Sequence, residues 1–313
     1  MRPTLIVVTG ATGVGKTAAA LTLAEALRCP IIGADSRQIY RDLPIGTAAP
    51  TAAEQQRAPH HLVGFLPLTA TYTAADYEAQ ALSLLDNLYA THDVAIVVGG
   101  SMLYVDALCS GIDSIPAIRD DIRQALLDEW QRDGLLPLVE ELRRRDPAHA
   151  AVCDLKNPRR VLHALEVCRQ SGRPFSSFLT GERRERPFHV LRIGLERDRE
   201  DLFARISRRV DQMMADGLAD EARRALPYRH LNALQTVGYR EMFAHFDGEC
   251  TLEQAVEKIK RNTRVYAKKQ MTWFKKAAGT FWFHPSQTDA MLRLAAVVTE
   301  RRAKGRMGGD PTE

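Results

Sequence analysis

Residues 10–17 have the types and spacing of a loop that binds phosphate. They are Gly10, Ala11, Thr12, Gly13, Val14, Gly15, Lys16 and Thr17, which fit the consensus G-x-x-x-x-G-K-[ST]. In such a loop the glycines let the backbone approach an anion, the lysine contacts phosphate oxygens and the final hydroxyl binds Mg²⁺. The match predicts a nucleotide-binding or ATP-binding site, or a site for another diphosphate, with Mg²⁺ as a cofactor held by Thr17.

The flanking residues predict the strand and helix that must hold this loop. The apolar stretch 4–9 predicts a buried parallel strand, and the Ala- and Leu-rich residues after the loop predict a helix. A second apolar stretch, 30–34, leads into Asp35. Ligands of an open parallel sheet lie beyond the carboxyl ends of its strands, so we expect Asp35 at the same edge as Lys16. From the residues alone, Asp35 is either a helix cap or a catalytic base.

A third predicted strand, 93–98, ends in Gly99, Gly100 and Ser101. A phosphate-loop hydrolase usually ends such a strand in an aspartate that helps to hold Mg²⁺. The glycine ending therefore disfavours an ordinary ATPase but not a small-molecule kinase. The two glycines permit close approach of a ligand and Ser101 adds a hydroxyl, although a plain strand-to-helix turn would have the same sequence.

The middle and the end of the chain predict mainly helices. No β-like run occurs between 116 and 186, and 189–196 returns to a strand pattern. We predict an α/β core from 1–115 and 187–313, interrupted by an all-helical domain at 116–186. Near the end, a predicted helix carries Lys258, Lys260, Arg261, Arg264, Lys268, Lys269, Lys275 and Lys276 interleaved with aromatic residues. This pattern suits a nucleic-acid backbone or, equally simply, a solvated helix.

Composition limits the class of protein. The 313 residues carry a mild net charge of +4, are 45% hydrophobic, and contain no apolar run of about 18 residues that would predict a membrane span. The five cysteines include no C-x-x-C pair. We therefore expect a cytoplasmic protein in a reducing compartment, with no membrane partner and no zinc site.

Several blocks in order resemble the bacterial tRNA dimethylallyltransferases, also called tRNA isopentenyltransferases. They are "GATGVGKT", "ADSRQIY", "PHHL", "VVGGSMLY", "NPRRVLHALEV", "RRVDQMMADGL", "QTVGYRE" and "RNTRVYAKKQMTWFKK". The resemblance runs nearly from end to end, and one departure is Ser101, where the family usually has threonine. It implies an α/β fold with a parallel sheet like that of the phosphate-loop NTPases.

The resemblance also implies a reaction. A dimethylallyl group would pass from dimethylallyl diphosphate to the exocyclic amine of the adenine 3′ to the anticodon, position 37, in tRNAs that read codons beginning with U. Asp35 would accept the proton of the amine, which is a poor nucleophile. Lys16 and Arg209 would stabilise the departing diphosphate.

The resemblance implies a set of contacts with the tRNA anticodon stem-loop, in which the helical insertion grips the stem. These residues are Asp35, Ser36, Arg37, Gln38, Ser101, Arg123, Arg159, Arg160, Val161, Leu162, His163, Gln235, Thr236, Val237, Gly238, Tyr239 and Arg240. Without the resemblance, His163 and Tyr239 could equally be core or capping residues. We expect a monomer.

Three other functions compete with prenyl transfer. A nucleoside or metabolite kinase would turn over ATP and ignore tRNA. An RNA-binding GTPase-like switch would need a guanine-reading N-K-x-D sequence, which is absent. A free-adenylate isopentenyltransferase would not need the long basic C-terminal half.

Overall fold

The computed structural model describes residues 2–304; the other residues, 1 and 305–313, lie outside the described part. The chain divides into two compact units, Ser110–Arg184 and the combination of Met1–Cys109 with Glu185–Glu313. We call the first the helical unit and the second the α/β unit. No helix in the described residues combines the length and apolarity needed to cross a membrane.

A parallel six-stranded sheet, counted over the described residues, forms the centre of the α/β unit, in the order β3-β2-β4-β1-β5-β6. The strands are β1 Thr4–Gly10, β2 Ile31–Gly33, β3 His60–His61, β4 Val94–Val98, β5 His189–Leu195 and β6 Thr280–Phe283. After β1 the chain builds one side of the sheet, and from β5 it builds the other. The carboxyl end of β1 therefore lies where the strand order reverses, the usual ligand site of such sheets. The predicted fold class is confirmed.

Helices cover both faces of this sheet because β1 is apolar on both. Ile6 and Val8 pack in one core cluster, whereas Leu5 and Val7 pack in another, as the alternation of a strand requires. The helices of the α/β unit are α1 Lys16–Leu27, α2 Ala52–Arg57, α3 Ala74–Leu88, α4 Met102–Ser110, α9 Arg199–Ala215, α10 Leu218–Ala225, α11 Tyr239–Phe246, α12 Leu252–Phe274 and α13 Thr288–Lys304. Residues of α1 and α13 contribute to the first cluster, and residues of α3 and α4 to the second.

The helical unit contains α5 Asp120–Asp133, α6 Leu136–Arg145, α7 Pro147–Val152 and α8 Pro158–Ser171. Gly134 follows α5 and Gly172 follows α8, both with positive φ, as glycines at helix ends commonly have. The unit has its own apolar core. It spans Ser110–Arg184, whereas the predicted insertion spans 116–186, and Ile115, just before the predicted start, packs against that core.

Two strands, β3 and β6, were not predicted from the sequence. β3 has only two residues, too few to show alternation, and β6 has only four residues and begins shortly after α12. Both lie at the edges of the sheet.

Candidate active site

The phosphate loop joins β1 to α1 and exposes the start of a helix to the cavity. Gly15 precedes α1 with a φ of 114°, a left-handed conformation that costs glycine little. The Lys16 amine folds back on the loop and donates to the carbonyls of Gly10 and Ala11, both at 3.0 Å. Backbone amides and the positive end of the helix dipole favour an anion here.

A cavity of about 1090 Å³ opens over this loop. Its positively charged lining residues are Lys16, Arg205, Arg208 and Arg209. Its acidic lining residues are Asp35, Glu54 and Asp216. The three predicted catalytic residues, Asp35, Lys16 and Arg209, therefore line one cavity, although they come from the ends of β1 and β2 and from α9.

Burial lowers the pKa values of two cations of this cavity, Lys16 and Arg209. Burial, followed by repulsion from Arg209, lowers the pKa of Lys16 to about 8, while Asp35 opposes the shift. Burial also lowers the pKa of Arg209, against the attraction of Asp35 and Glu54. Neither cation forms a salt bridge with another described residue. An anion bound in the cavity would supply the missing negative charge.

Asp35 has both a local and an outward role. One carboxylate oxygen accepts a hydrogen bond from the Arg37 amide at 2.9 Å. Residues 36–39 form turns rather than a helix, so the helix-cap interpretation is wrong. Asp35 is half-buried on the cavity wall, where a carboxylate can accept a proton from a substrate held there.

The turn after β4, residues 99–101, packs tightly against the turn that follows Asp35, residues 36–39, which we call the Asp35 turn. A side chain on Gly99 would overlap the Ala34 backbone, and one on Gly100 would overlap the Gln270 amide. The Ser36 amide donates to the Ser101 hydroxyl oxygen at 2.7 Å, and that hydroxyl donates to Ser36 Oγ at 3.1 Å. Ser101 thus supports the Asp35 turn, a role that requires only a hydroxyl.

An apolar segment forms another wall of the cavity. Pro44, Ile45, Ala48, Ala49 and Pro50 line it. The Gln38 side chain holds the segment by donating to the carbonyls of Thr47 and Ala48 at 3.0 and 2.9 Å. The buried Glu221 carboxylate accepts from the amides of Ile45 and Gly46, both at 2.8 Å.

The structure corrects part of the predicted RNA-contact set. Tyr239 is fully buried, and its hydroxyl donates to Glu221 at 2.6 Å beneath this apolar wall. Val161 and Leu162 pack in the core of the helical unit. The side chains of these three residues are therefore part of the core. Because they are buried, they do not form a contact surface for RNA. For Tyr239 the alternative core interpretation is confirmed.

Most of the other predicted RNA residues are exposed or half-buried. In the helical unit Arg159, Arg160 and His163 are exposed on α8, and Arg123 pairs with Glu166 at 3.3 Å. In the α/β unit Arg240 is exposed, and Arg37, Gln235, Thr236 and Val237 are half-buried. Gly238 is buried and its amide donates to Glu241.

The basic helix α12 is amphipathic. Ala255, Ile259 and Ala267 face the core, whereas Lys268 and Lys269 are exposed. Some cations of the cluster have internal roles: Lys260 pairs with Asp211 at 2.8 Å, and Arg264 donates to Ser207 Oγ at 2.7 Å. For the exposed face of α12, the nucleic-acid contact and the solvated helix both stay predictions.

The donors present fit a magnesium ion bound mainly through its substrate. The described residues contain no group of three or more His, Cys, Asp or Glu side chains arranged to hold a metal. Thr17 lines the cavity beside Lys16. Mg²⁺ usually keeps several waters and binds through one or two protein groups plus phosphate oxygens, which matches this donor set.

Two residues that shape the site were not predicted from the sequence. Arg205 Nε donates to the Gly13 carbonyl at 3.0 Å, and Gln270 accepts from the Thr12 amide at 2.8 Å. The only sequence signal for Arg205 was its spacing of four from Arg209, which places both on one helix face. Nothing local distinguishes Gln270 from its polar neighbours.

The fold and the cavity define a phosphate-loop α/β protein. A carboxylate that can accept a proton lies in the same cavity as its anion site. A family model described as IPP transferase matches residues 38–277. The chain belongs to this family.

Similar proteins agree with that assignment. Two relatives called tRNA dimethylallyltransferase 1, from Phocaeicola vulgatus and Bacteroides thetaiotaomicron, are each 54% identical to this chain. The alignments cover 94% and 93% of this chain and 98% and 94% of the relatives.

Solved structures are similar as well. The crystal structure of a tRNA isopentenylpyrophosphate transferase from Bacillus halodurans has a TM-score of 0.72 at 34% identity, covering 98% of this chain and all of that one. A eukaryotic dimethylallyltransferase acting on tRNA has a TM-score of 0.79 at 24% identity, covering 96% of this chain and 80% of that one, and supports the fold alone.

Proposed function

We propose that this protein is a tRNA dimethylallyltransferase that alkylates the exocyclic amine of the adenine 3′ to the anticodon, position 37. The observation that carries the proposal is the single cavity in which Lys16, Arg209, Asp35 and an apolar wall meet. Family membership and the names of the relatives support it. The substrate would be tRNA that reads codons beginning with U.

The donor, dimethylallyl diphosphate, fits the two kinds of wall. Its diphosphate would lie on the loop amides, Lys16 and Arg209, and its alkyl group against the segment 44–50. A ligand-sized cavity is usually about 300–1,000 Å³, so about 1090 Å³ leaves room for a base beside the donor. The adenine would have to leave the anticodon stack to enter.

The reaction is then a nucleophilic substitution. A bond forms between the adenine nitrogen and the first carbon of the donor, and the bond from that carbon to the diphosphate oxygen breaks. Asp35 accepts the amine proton, and the fixed cations stabilise the charge that gathers on the leaving diphosphate. Mg²⁺ with Thr17 would add positive charge at the same oxygens.

The phosphate loop here would bind a leaving group and transfer no phosphoryl group. A kinase would use the same loop, but the relatives are named as prenyltransferases, and the kinase alternative is not favoured. ATP binding, the monomeric state and the cytoplasmic location stay predictions.

One assay tests the proposal. Purified protein is incubated with labelled dimethylallyl diphosphate and an unmodified anticodon stem-loop, with and without Mg²⁺. We expect one label in the RNA for each diphosphate released. A stem-loop with unsubstituted purine in place of the target adenine lacks the amine and should accept no label, and free AMP should not replace the RNA. ATP hydrolysis stimulated by RNA without label transfer would overturn the proposal.

A further inference from the structure

Gln270 forms hydrogen bonds with two separate parts of the active site. It lies on α12 and is 1% exposed, although its side chain is polar. Its Oε1 accepts from the Thr12 amide at 2.8 Å, and its Nε2 donates to the Gly100 carbonyl at 2.8 Å. The amide is thus satisfied on both ends, as a buried polar group must be.

The two hydrogen-bond partners of Gln270 lie near different participants in the proposed reaction, the alkyl donor and the base. Thr12 lies in the phosphate loop, which would hold the donor. Gly100 lies in the turn that packs against Asp35: a side chain on Gly100 would lie 3.7 Å from an Asp35 carboxylate oxygen. Gln270 therefore joins the donor side of the cavity to the side of the base.

We propose that Gln270 is a positioning residue that sets the distance between the donor loop and the Asp35 turn. The inference rests on the proposed function and extends it. An alkyl transfer between two bound substrates requires both reacting atoms to be held in line, and a misplacement of about 1 Å can cost roughly 100-fold in rate. Both polar atoms of the Gln270 side chain are engaged by backbone groups, so we infer that it acts through the backbone that it holds.

The local packing explains why this position is specific. A side chain on Gly100 would overlap the Gln270 amide, so glycine fits beside it without displacement. A shorter residue at 270 would not reach both partners, and an apolar residue would leave the Gly100 carbonyl and the Thr12 amide without this partner.

The principal test separates positioning from folding. Gln270→Met keeps the length of the side chain but loses both hydrogen bonds, and Gln270→Glu keeps only the acceptor for Thr12. We expect Gln270→Met to lower kcat for alkyl transfer about 10–100-fold while KM for the stem-loop stays within about twofold. Gln270→Glu should lie between this variant and the wild type.

A matched control is Ser207→Ala, which removes the Arg264 hydrogen bond of the same helix at a residue that does not line the cavity. It should keep kcat within about twofold, and thermal unfolding of each variant shows whether it is folded. Wild-type kcat in both Gln270 variants would overturn the inference, and so would a loss confined to KM. Absence of transfer by the wild-type protein would instead refute the proposed function.

A double-mutant cycle with Gly100 adds an independent check. Gly100→Ala should slow transfer because its methyl group displaces Gln270. In the double variant with Gln270→Ala that methyl group has space, so the double variant should be no slower than Gln270→Ala alone. Fully additive losses would contradict the inference.

Discussion

The cavity of the α/β unit and the interior of the helical unit use positive charge in opposite ways. In the helical unit, Arg169 lies between two carboxylates, pairing with Glu129 at 2.7 Å and with Glu141. Hydrogen bonds from these partners raise the pKa of Arg169, whereas burial lowers the pKa values of Lys16 and Arg209 in the cavity.

The difference separates structural cations from functional ones. A cation paired with a carboxylate is already neutralised, and it holds helices α5, α6 and α8 together. A buried cation without such a pair has lost hydration and has gained no counter-ion within the protein. Such a site is complementary to an anion that arrives from outside. Perturbed pKa values in a cleft are also a general marker of functional sites.

The largest effect is expected at Asp35, the carboxylate whose charge acts on both of these cations. Asp35→Ala should slow the chemical step about 10²–10⁴-fold, with little change in donor affinity, because general-base catalysis is lost and the diphosphate site is kept. Single-turnover kinetics at saturating RNA measures it. The Arg37 amide also loses its partner, so Asp35→Asn serves as the control that keeps this hydrogen bond. A near-wild-type rate in both variants would leave Asp35 only its role in the turn.

The second effect tests the comparison itself. Lys16→Ala and Arg209→Ala should each cost about 2–4 kcal/mol of transition-state stabilisation. Arg169→Ala is the matched change among the carboxylate-paired cations. It should lower the thermal stability of the helical unit and leave donor affinity unchanged. Steady-state kinetics, donor titration and thermal unfolding distinguish the two classes. Equal losses of donor affinity in all three variants would break the distinction.

The pH dependence gives a third, smaller effect. The Lys16 amine is charged below its pKa of about 8 and neutral above it. If its charge is needed, kcat/KM for the donor should fall about tenfold per pH unit above pH 8. Bound diphosphate favours the charged amine, so kcat should fall only at higher pH. Lys16→Arg stays charged and should lose this decline; an unchanged decline would assign it to another group.

The smallest effect concerns the exposed cations, which are neither the cavity cations nor the carboxylate-paired cations of the helical unit. If α12 contacts RNA phosphates, Lys268→Ala with Lys269→Ala should reduce the salt slope of stem-loop binding by about 1 per lost contact and leave donor affinity unchanged. Arg159→Ala in the helical unit should weaken RNA selectively in the same way. Titrations at several salt concentrations decide it, with Lys260→Ala as a control because Lys260 is paired with Asp211. An unchanged slope would make these lysines solvated residues only.

Sequence patterns predicted the features that depend on neighbouring residues. The strand-loop-helix around Lys16 and the position of Asp35 after β2 follow from local apolar runs and glycines. Resemblance added Arg209, whose type alone also suited a solvated residue. Each of these features is encoded within about ten to twenty residues, where periodicity and turn chemistry are informative.

The tertiary structure decided the features that depend on distant residues. Gln270 contacts Thr12 across 258 positions, and Glu221 holds Ile45 across 176. No local pattern distinguishes a buried, satisfied Gln from an exposed one, and Tyr239 became a support of the cavity wall only through Glu221. The sequence by itself thus determined that a phosphate site and a carboxylate share one edge of the sheet. Only packing determined which side chains hold them at a working distance, because a hydrogen bond between remote segments has no signature in either segment alone.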